Sequence, residues 1–245
     1  MDKLALLGAL LVVFVIYLGQ TMEGEQFSSL LNAPALLIVV GGTLGAVMIQ
    51  VPYKVFSRAI SMFSWVLVPP QINWRMSIKK LVMWSEITRR DGILGLESHL
   101  RREQDPFTKK AMQLLVDGRE PEVIRETLET EIETREAFEH SAAKVYESMG
   151  GYAPTIGILG AVMGLIHVMG NLSDPNNLGA GIATAFVATI YGVGLANLFL
   201  IPVSKKISAH IEENMREKHM IMEGMISIAS GENPRNIAVR LKAYY

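Results

Sequence analysis

The sequence predicts an all-α integral membrane protein: four transmembrane helices, with a helical cytoplasmic domain inserted between spans two and three. Three observations predict it. Four stretches, 4–19, 33–51, 152–170 and 178–203, contain no Asp, Glu, Lys or Arg, and a crossing helix needs about 17–25 mainly apolar residues. None of them alternates apolar and polar residues as a barrel strand does, and lipid leaves only helices and closed barrels to satisfy the backbone. Finally, all 23 lysines and arginines fall on one side: Lys3 before the first stretch, fifteen between Tyr53 and Gly150, and seven after Pro202. The two short connectors, 20–32 and 171–177, hold only Glu23, Glu25 and Asp174 as ionisable residues. Basic loops stay in the cytoplasm, so both termini are expected inside.

The expected order is transmembrane helix one (1–19), helix two (33–51), a cytoplasmic helical domain (52–150), helix three (151–170), helix four (178–203), and a cytoplasmic helix and tail (204–245). Span one is short, and Lys3 before a leucine-rich run also fits a signal peptide. No convincing small-x-small cleavage site follows Gly19, which favours a retained span. Asn32 and Pro34 stand where a helix cap and a first-turn proline belong, opening span two. Residues 53–68 mix Tyr53, Phe56, Phe63 and Trp65 with Lys54 and Arg58, the pattern of an amphipathic helix on the inner membrane surface. The competing reading is a continuation of span two. Pro69–Pro70 ends the segment either way.

Residues 72–116 read as helices broken at Asp91–Gly92, Gly95 and Asp105–Pro106, with a further turn at Asp117–Gly118. Residues 121–148 form a strongly acidic helix, with Glu122, Glu126, Glu129, Glu133 and Glu136 among its glutamates, running towards span three through Met149–Gly150–Gly151. After span four, Ile207, Ile211, Met215, Met222 and Met225 mark one face of a helix over 204–230. Gly231 terminates it.

Most catalytic chemistry is unsupported. A net charge of −1 gives no claim on nucleic acid. No cysteine is present, so thiol nucleophiles, disulfides and zinc–thiolate sites are excluded. The histidines (His99, His140, His167, His210, His219) lack metal-ligand spacing. Gly41–Gly42–Thr43–Leu44–Gly45 lacks the lysine of a phosphate loop and sits in an apolar span, where close helix packing is its natural role. Asn171–Leu172–Ser173 matches a glycosylation sequon, a triplet frequent by chance. The expectation is a non-enzyme with neither cofactor nor metal.

Spans three and four carry the informative pattern. Gly157, Gly160 and Gly164 lie on or near one face of span three, the latter two as GxxxG. Gly181, Ala185, Ala188, Gly192 and Ala196 make a second small-residue stripe on span four. Such stripes let helix backbones approach closely. The same spans carry Thr155, His167, Thr184, Thr189, Tyr191 and Asn197, whereas span one offers only Tyr17 and span two Thr43 and Gln50. Spans three and four are therefore the expected lining of an interface or a wet path. The bland alternative is that their threonines bond their own helix backbones. Proton-moving membrane proteins need an ionisable relay at depth, and these spans supply no carboxylate. A partner helix packed on the small-residue faces is expected to bring one. In the cytoplasmic part, Arg89, Arg90, Asp91 and Glu97 form a charge cluster that pattern alone reads as a solvated face.

Taken together, these residues resemble the flagellar motor stator A-subunit family, the MotA/PomA type, over nearly the whole chain. The most specific stretch runs Ala153–Pro154–Thr155–Ile156–Gly157–Ile158–Leu159–Gly160–Ala161–Val162–Met163–Gly164–Leu165. Ala188–Thr189–Ile190–Tyr191–Gly192, Ile201–Pro202, the tail from Gly231 to Arg235 and the loop from Arg89 to Glu97 support it.

The resemblance implies a homo-oligomer in the bacterial inner membrane, a pentamer in the family, around the helices of a MotB-like single-span B subunit. That subunit carries an essential aspartate, the acid missing from the spans here. It also implies that Arg89, Arg90 and Glu97 contact the rotor protein, and that Pro154 and Pro202 couple ion passage to movement of the cytoplasmic domain. Gly160, Gly164, Ala161, Thr189, Tyr191 and Gly192 are assigned to the ion path and the partner-helix interface. Sodium-type members carry a threonine where Ala161 stands, so one missing oxygen ligand favours protons. A TolQ/ExbB-like energiser of the outer membrane and a self-contained ion transporter are the competing functions.

Overall fold

The computed structural model describes residues 2–22, 24, 30–170 and 175–244, with backbone only at 175–177 and 180. Glu23, Glu25, Asp174 and the sequon at 171–173 lie outside the described residues. In chain order the helices are α1 (Lys3–Met22), α2 (Ala33–Gln50), α3 (Tyr53–Met62), α4 (Trp74–Asp91), α5 (Pro106–Val116), α6 (Pro121–Gly170), α7 (Pro175–Gly194), α8 (Ile201–Ala229) and α9 (Pro234–Leu241). Helices α1 and α2, the second half of α6, and α7 with its continuation are apolar and long enough to cross a membrane.

The start and stop signals act as their chemistry dictates. Asn32 Oδ1 accepts the Ala35 N–H at 3.0 Å and Pro34 sits in the first turn of α2. The backbone turns extended at Val51 (φ −115°, ψ 146°) before Pro52, so α3 is a separate helix and not a continuation of span two. Gly92, at φ +76°, ends α4 in a conformation that suits glycine. Asp105 caps α5, its Oδ2 accepting from the Thr108 N–H at 2.9 Å and the Thr108 hydroxyl at 2.6 Å.

Two junctions differ from the sequence reading. The acidic helix and span three are one helix of 50 residues, with Gly150–Gly151 and Pro154 inside it. Gly150 is a packing position: a Cβ there would stand 2.7 Å from Ile201 Cγ1. Span four likewise continues past Pro202. A π-helical turn, Leu195–Leu200, leads directly into α8, where Pro202 is the second residue. The wider turn is a common way for a helix to absorb a local register change, and proline lacks the N–H that regular α pairing needs. Neither proline ends its helix.

The chain forms two compact units, Met1–Pro69 with Glu139–Ala209, and Pro70–Phe138 with His210–Tyr245. Residues 53–66 and 139–150, which composition places in the cytoplasmic insert, thus belong with the spans. In the second unit, buried residues recur at helical spacing: Ile78 and Leu81 of α4, Phe107, Met112 and Leu115 of α5, Ile124, Leu128 and Ile132 of α6, and Met215, Met222 and Met225 of α8. Each large side chain buried this way contributes about 1.5–3 kcal/mol of transfer free energy. Helix α9 closes this core against α4, burying Ile237 and Leu241.

The first unit contains the spans. Helix α2 packs on α7 through a cluster of Ala35, Val39, Val187 and Ala188. Helix α1 buries none of its residues. It is held at its start, where Asp2 caps it through the Leu4 and Ala5 N–H groups, donates its own N–H to Leu67 O, and accepts from Lys206 Nζ. That lysine hydrogen bond, the largest cause, holds the Asp2 carboxyl below the usual range.

Candidate functional site

Spans three and four meet backbone to backbone. A Cβ on Gly157 would lie 2.8 Å from the Ala188 carbonyl oxygen and 3.2 Å from Gly192 Cα. On Gly160 it would lie 3.0 Å from Ala188 Cβ and 3.3 Å from Ile38 Cγ2 of α2. On Gly164 it would lie 3.1 Å from both Ala185 N and Gly181 O, and on Gly192 it would lie 3.1 Å from Gly157 Cα. These glycines are buried. The small-residue stripes therefore lock the chain to itself. Gly160, Gly164 and Gly192, which the resemblance assigns to the ion path and the partner-helix interface, are thus packed against helices of the chain itself.

Tyr191 is also taken up within the chain. Its hydroxyl donates to the Leu30 carbonyl oxygen and accepts the Asn32 N–H at 3.2 Å, while Asn32 Nδ2 donates to Thr184 Oγ1 at 2.8 Å. The result is a polar clasp that ties the start of span two to span four. Sequence reasoning saw Asn32 only as a cap. The recurrence of Asn, Thr and Tyr in otherwise apolar segments was the available signal, since a buried polar group needs a partner.

Two predicted ion-path residues remain partly accessible. Thr189 is half-buried and its hydroxyl donates to the Ala185 carbonyl at 3.3 Å. That bond takes the single hydroxyl hydrogen and leaves acceptor capacity on the oxygen. Ala161 is half-buried as well. Around them Ile158, Leu159, Val162, Met163, Phe186, Ile190 and Val193 present an exposed apolar surface on the same two spans. Thr155 donates to its own helix at Tyr152 O, 2.8 Å away. Thr43 of span two is wholly buried, and its hydroxyl finds no partner among the described residues.

A second polar arrangement went unread in the sequence. Arg58 of α3 grips Glu139 of α6 with two bonds, Nε–Oε2 at 2.8 Å and Nη2–Oε1 at 2.7 Å, and its guanidinium lies 5.3 Å from the Trp65 ring centroid. Beside it the Tyr146 hydroxyl donates to Ala59 O at 2.9 Å, and burial pushes that phenol up to about 12. These contacts fasten the 53–66 segment to the base of span three.

The charge cluster lies at one end of α4. Arg89 and Arg90 occupy its last turn, and Glu97 opens a single helical turn, Glu97–Leu100; all three are exposed. The intervening 3₁₀ turn folds back tightly, since a Cβ on Gly95 would stand 3.0 Å from Asp91 Cβ and 3.1 Å from Ile87 Cγ2. Arg90 is bonded by its neighbour Asp91 at 2.8 Å. That bond raises the guanidinium further and lowers the Asp91 carboxyl. Among the described residues Arg89 and Glu97 form no ion pair.

Residues 99–220 match the MotA/TolQ/ExbB proton channel family. Motility protein A of Helicobacter pylori is 34% identical over 244 residues, covering 100% of this chain and 95% of that protein. The chain belongs to the Motility protein A family. The structure of C. jejuni MotAB agrees with this family's fold at a TM-score of 0.94 and 32% identity, covering 100% of this chain and 96% of that one. The flagellar MotAB stator complex from Bacillus subtilis gives 0.89 at 32% identity, covering 99% and 96%. As a Motility A chain it is a multi-pass membrane protein, and the family's proton-channel character fits spans that carry polar groups without carboxylates.

Proposed function

We propose that this chain is the A subunit of a flagellar motor stator, which converts ion-motive force into torque on the rotor for motility. One observation carries the reading most: the full-length, four-span likeness to stator complexes belongs to a chain whose own spans hold no acid. In a bilayer that housing is incomplete for proton transfer. A MotB-like single-span subunit would supply the aspartate. Several copies of this chain, five by analogy with the family, would surround it in the bacterial inner membrane with both termini cytoplasmic.

In this scheme Thr189 and Ala161 line the ion path and favour protons, because a sodium ion requires several oxygen ligands to replace its water. Pro154 and Pro202 couple passage to the cytoplasmic unit. Both lie inside continuous helices, which suits a bend better than an end. Arg89, Arg90 and Glu97 face the rotor, and their exposure leaves them available. An outer-membrane energiser is less well supported than a stator, since relatives matching the whole chain are motility proteins.

The test is reconstitution. The chain alone in vesicles should pass neither protons nor sodium, and flux should appear when a single-span partner with a membrane aspartate is added. Flux from the chain alone would refute the reading. In cells, Arg90→Glu should impair swimming while the complex still assembles, with a larger loss when combined with Arg89→Glu; normal swimming in the double variant would remove the rotor contact.

A further inference from the structure

The first half of α1 borders an apolar groove of about 570 Å³, apart from the residues assigned to the ion path. Gly8, Ala9 and Val12 form one wall, Phe63 and Leu67 after α3 a second, and the π-helical turn with the start of α8 the third. Two of its lining side chains are polar. Asn197 donates to its own helix at Val193 O, 3.0 Å away. Lys206 is half-buried and bonds Asp2, which places it at the end of the groove where α1 begins.

The groove is open space. A Cβ on Gly8 would meet nothing within 4 Å, so this glycine does not serve the close backbone approach seen between spans three and four. Leu67, Leu198 and Phe199 line the groove and remain exposed. In a bilayer the surroundings of such a surface are hydrocarbon. From Leu4 to Val12 the groove runs about 12 Å along α1, close to the ~15 Å of hydrocarbon in one leaflet.

The charges select the occupant. Lys3 and Lys205, chain neighbours of the lining residues Leu4 and Lys206, are exposed, and among the described residues neither forms an ion pair. Lys206 has three hydrogens and one mapped acceptor, Asp2. Three ammonium groups thus accompany one carboxylate at the end of the groove, and the rest of its lining is uncharged. A second copy of this chain in the same orientation would bring the same lysines to the same depth, so like charge would meet like. An anionic headgroup above an apolar chain has the complementary profile.

We propose that this groove holds an acyl chain of an anionic phospholipid, drawn from the leaflet at the N-terminal end of span one, with its phosphate beside Lys3, Lys205 and Lys206. Such binding requires only that span one crosses a bilayer, and is independent of what the complex drives. The lipid would fasten α1, which buries none of its own residues, to the rest of its unit. Its chain would lie against Pro202.

The experiment is photo-crosslinking of the full chain, with its B subunit, in phosphatidylcholine vesicles. A small fraction of the lipid carries a diazirine on one acyl chain, as phosphatidylglycerol or, for the zwitterionic control, as phosphatidylcholine with the same chains. Phosphatidylglycerol should label residues 4–12 and 197–203 about fivefold more than the control, the scale of one lysine's attraction to an anionic surface. Lys3→Gln combined with Lys205→Gln should remove that preference. Gly8→Trp fills the groove from a position with room for a side chain and should cut labelling of both segments several-fold; if it does not assemble, the lysine pair decides alone. The chain has no cysteine, so Ala9→Cys reports a protein occupant and should stay free of disulfide-linked dimers on oxidation. No labelling of either segment, equal labelling by the two lipids, labelling indifferent to Gly8→Trp in an assembled complex, or Ala9→Cys dimers would overturn the proposal.

Discussion

The two units of this chain solve the packing problem in opposite ways. The second unit buries large side chains, Phe107, Met112, Ile124 and Leu128 among them, at helical spacing, and water provides the driving force. The membrane unit has no such force between its helices, because lipid is as apolar as leucine. There, close approach of backbones at Gly157, Gly164 and Gly192 replaces side-chain burial, while Leu7, Leu10 and Leu11 of α1 and Ile166 of span three remain exposed. An exposed leucine therefore means different things in the two units, and so does a glycine.

Breaking the glycine contact tests this difference most severely. Gly192→Ala sets a Cβ 2.5 Å from the Ala153 carbonyl oxygen, an atom of backbone that cannot rotate away. Overpacking of this kind costs about 3 kcal/mol or more, so the variant should fail to accumulate as a monodisperse complex on size-exclusion chromatography after detergent extraction. Normal yield and melting temperature would mean that the spans can part.

Arg58→Ala follows. It leaves Glu139, which is only 5% exposed, without its guanidinium. Breaking a buried pair costs about 3–5 kcal/mol; with the Arg58 side chain 30% exposed, the low end of about 3 kcal/mol is expected. Thermal unfolding of the complex measures it. Replacing both partners, Arg58→Met with Glu139→Leu, should recover most of the loss; failure to recover would show that Glu139 matters for more than its pairing.

Much of this architecture is local and was therefore legible. Charge exclusion marks the spans, Asn32 and Asp105 announce their helices, and Gly92 and Gly231 stop theirs, each within a few residues of the feature concerned. Partner identity is not local. A GxxxG face declares that a backbone comes close, but glycine carries nothing to say whose. Gly160 and Gly164 thus fit a foreign helix on paper as well as they fit α7 in the structure. Tyr191 reads as an ion-path hydroxyl, and nothing near it in the sequence announces that Leu30, 161 residues away, takes its hydrogen. The prolines are ambiguous for another reason: a missing N–H often ends a helix in water, whereas Pro154 and Pro202 both stand inside continuous helices. Arg89, Arg90 and Glu97 were placed correctly as exposed charges, though exposure does not name what they meet.

Tyr191→Phe sharpens the point about the clasp. It removes the donor to Leu30 O and the acceptor of the Asn32 N–H while keeping the ring packed against the α2 cluster. The expected cost is about 1–2 kcal/mol, the scale of leaving partly buried backbone groups unpaired. It should appear as a lowered melting temperature and faster proteolysis of the connector before span two. Were Tyr191 instead chiefly an ion-path group, stability would hold and only flux would fall.

The smallest effect belongs to a glycine in the second unit, and it completes the comparison. A Cβ on Gly224 would meet Leu81 Cδ1 at 2.8 Å and Cδ2 at 2.9 Å, as tight on paper as the Gly157 contact. Here the obstacle is the far end of a flexible side chain in a core built from such side chains, which can shift rotamer for about 0.5–1.5 kcal/mol. Alanine also gains about 0.8–1.0 kcal/mol over glycine in a helix interior. The two nearly cancel, so Gly224→Ala should change unfolding free energy by less than about 1 kcal/mol, against the collapse expected for Gly192→Ala. Equal losses at both positions would dissolve the distinction between a unit packed by side chains and one packed by backbone.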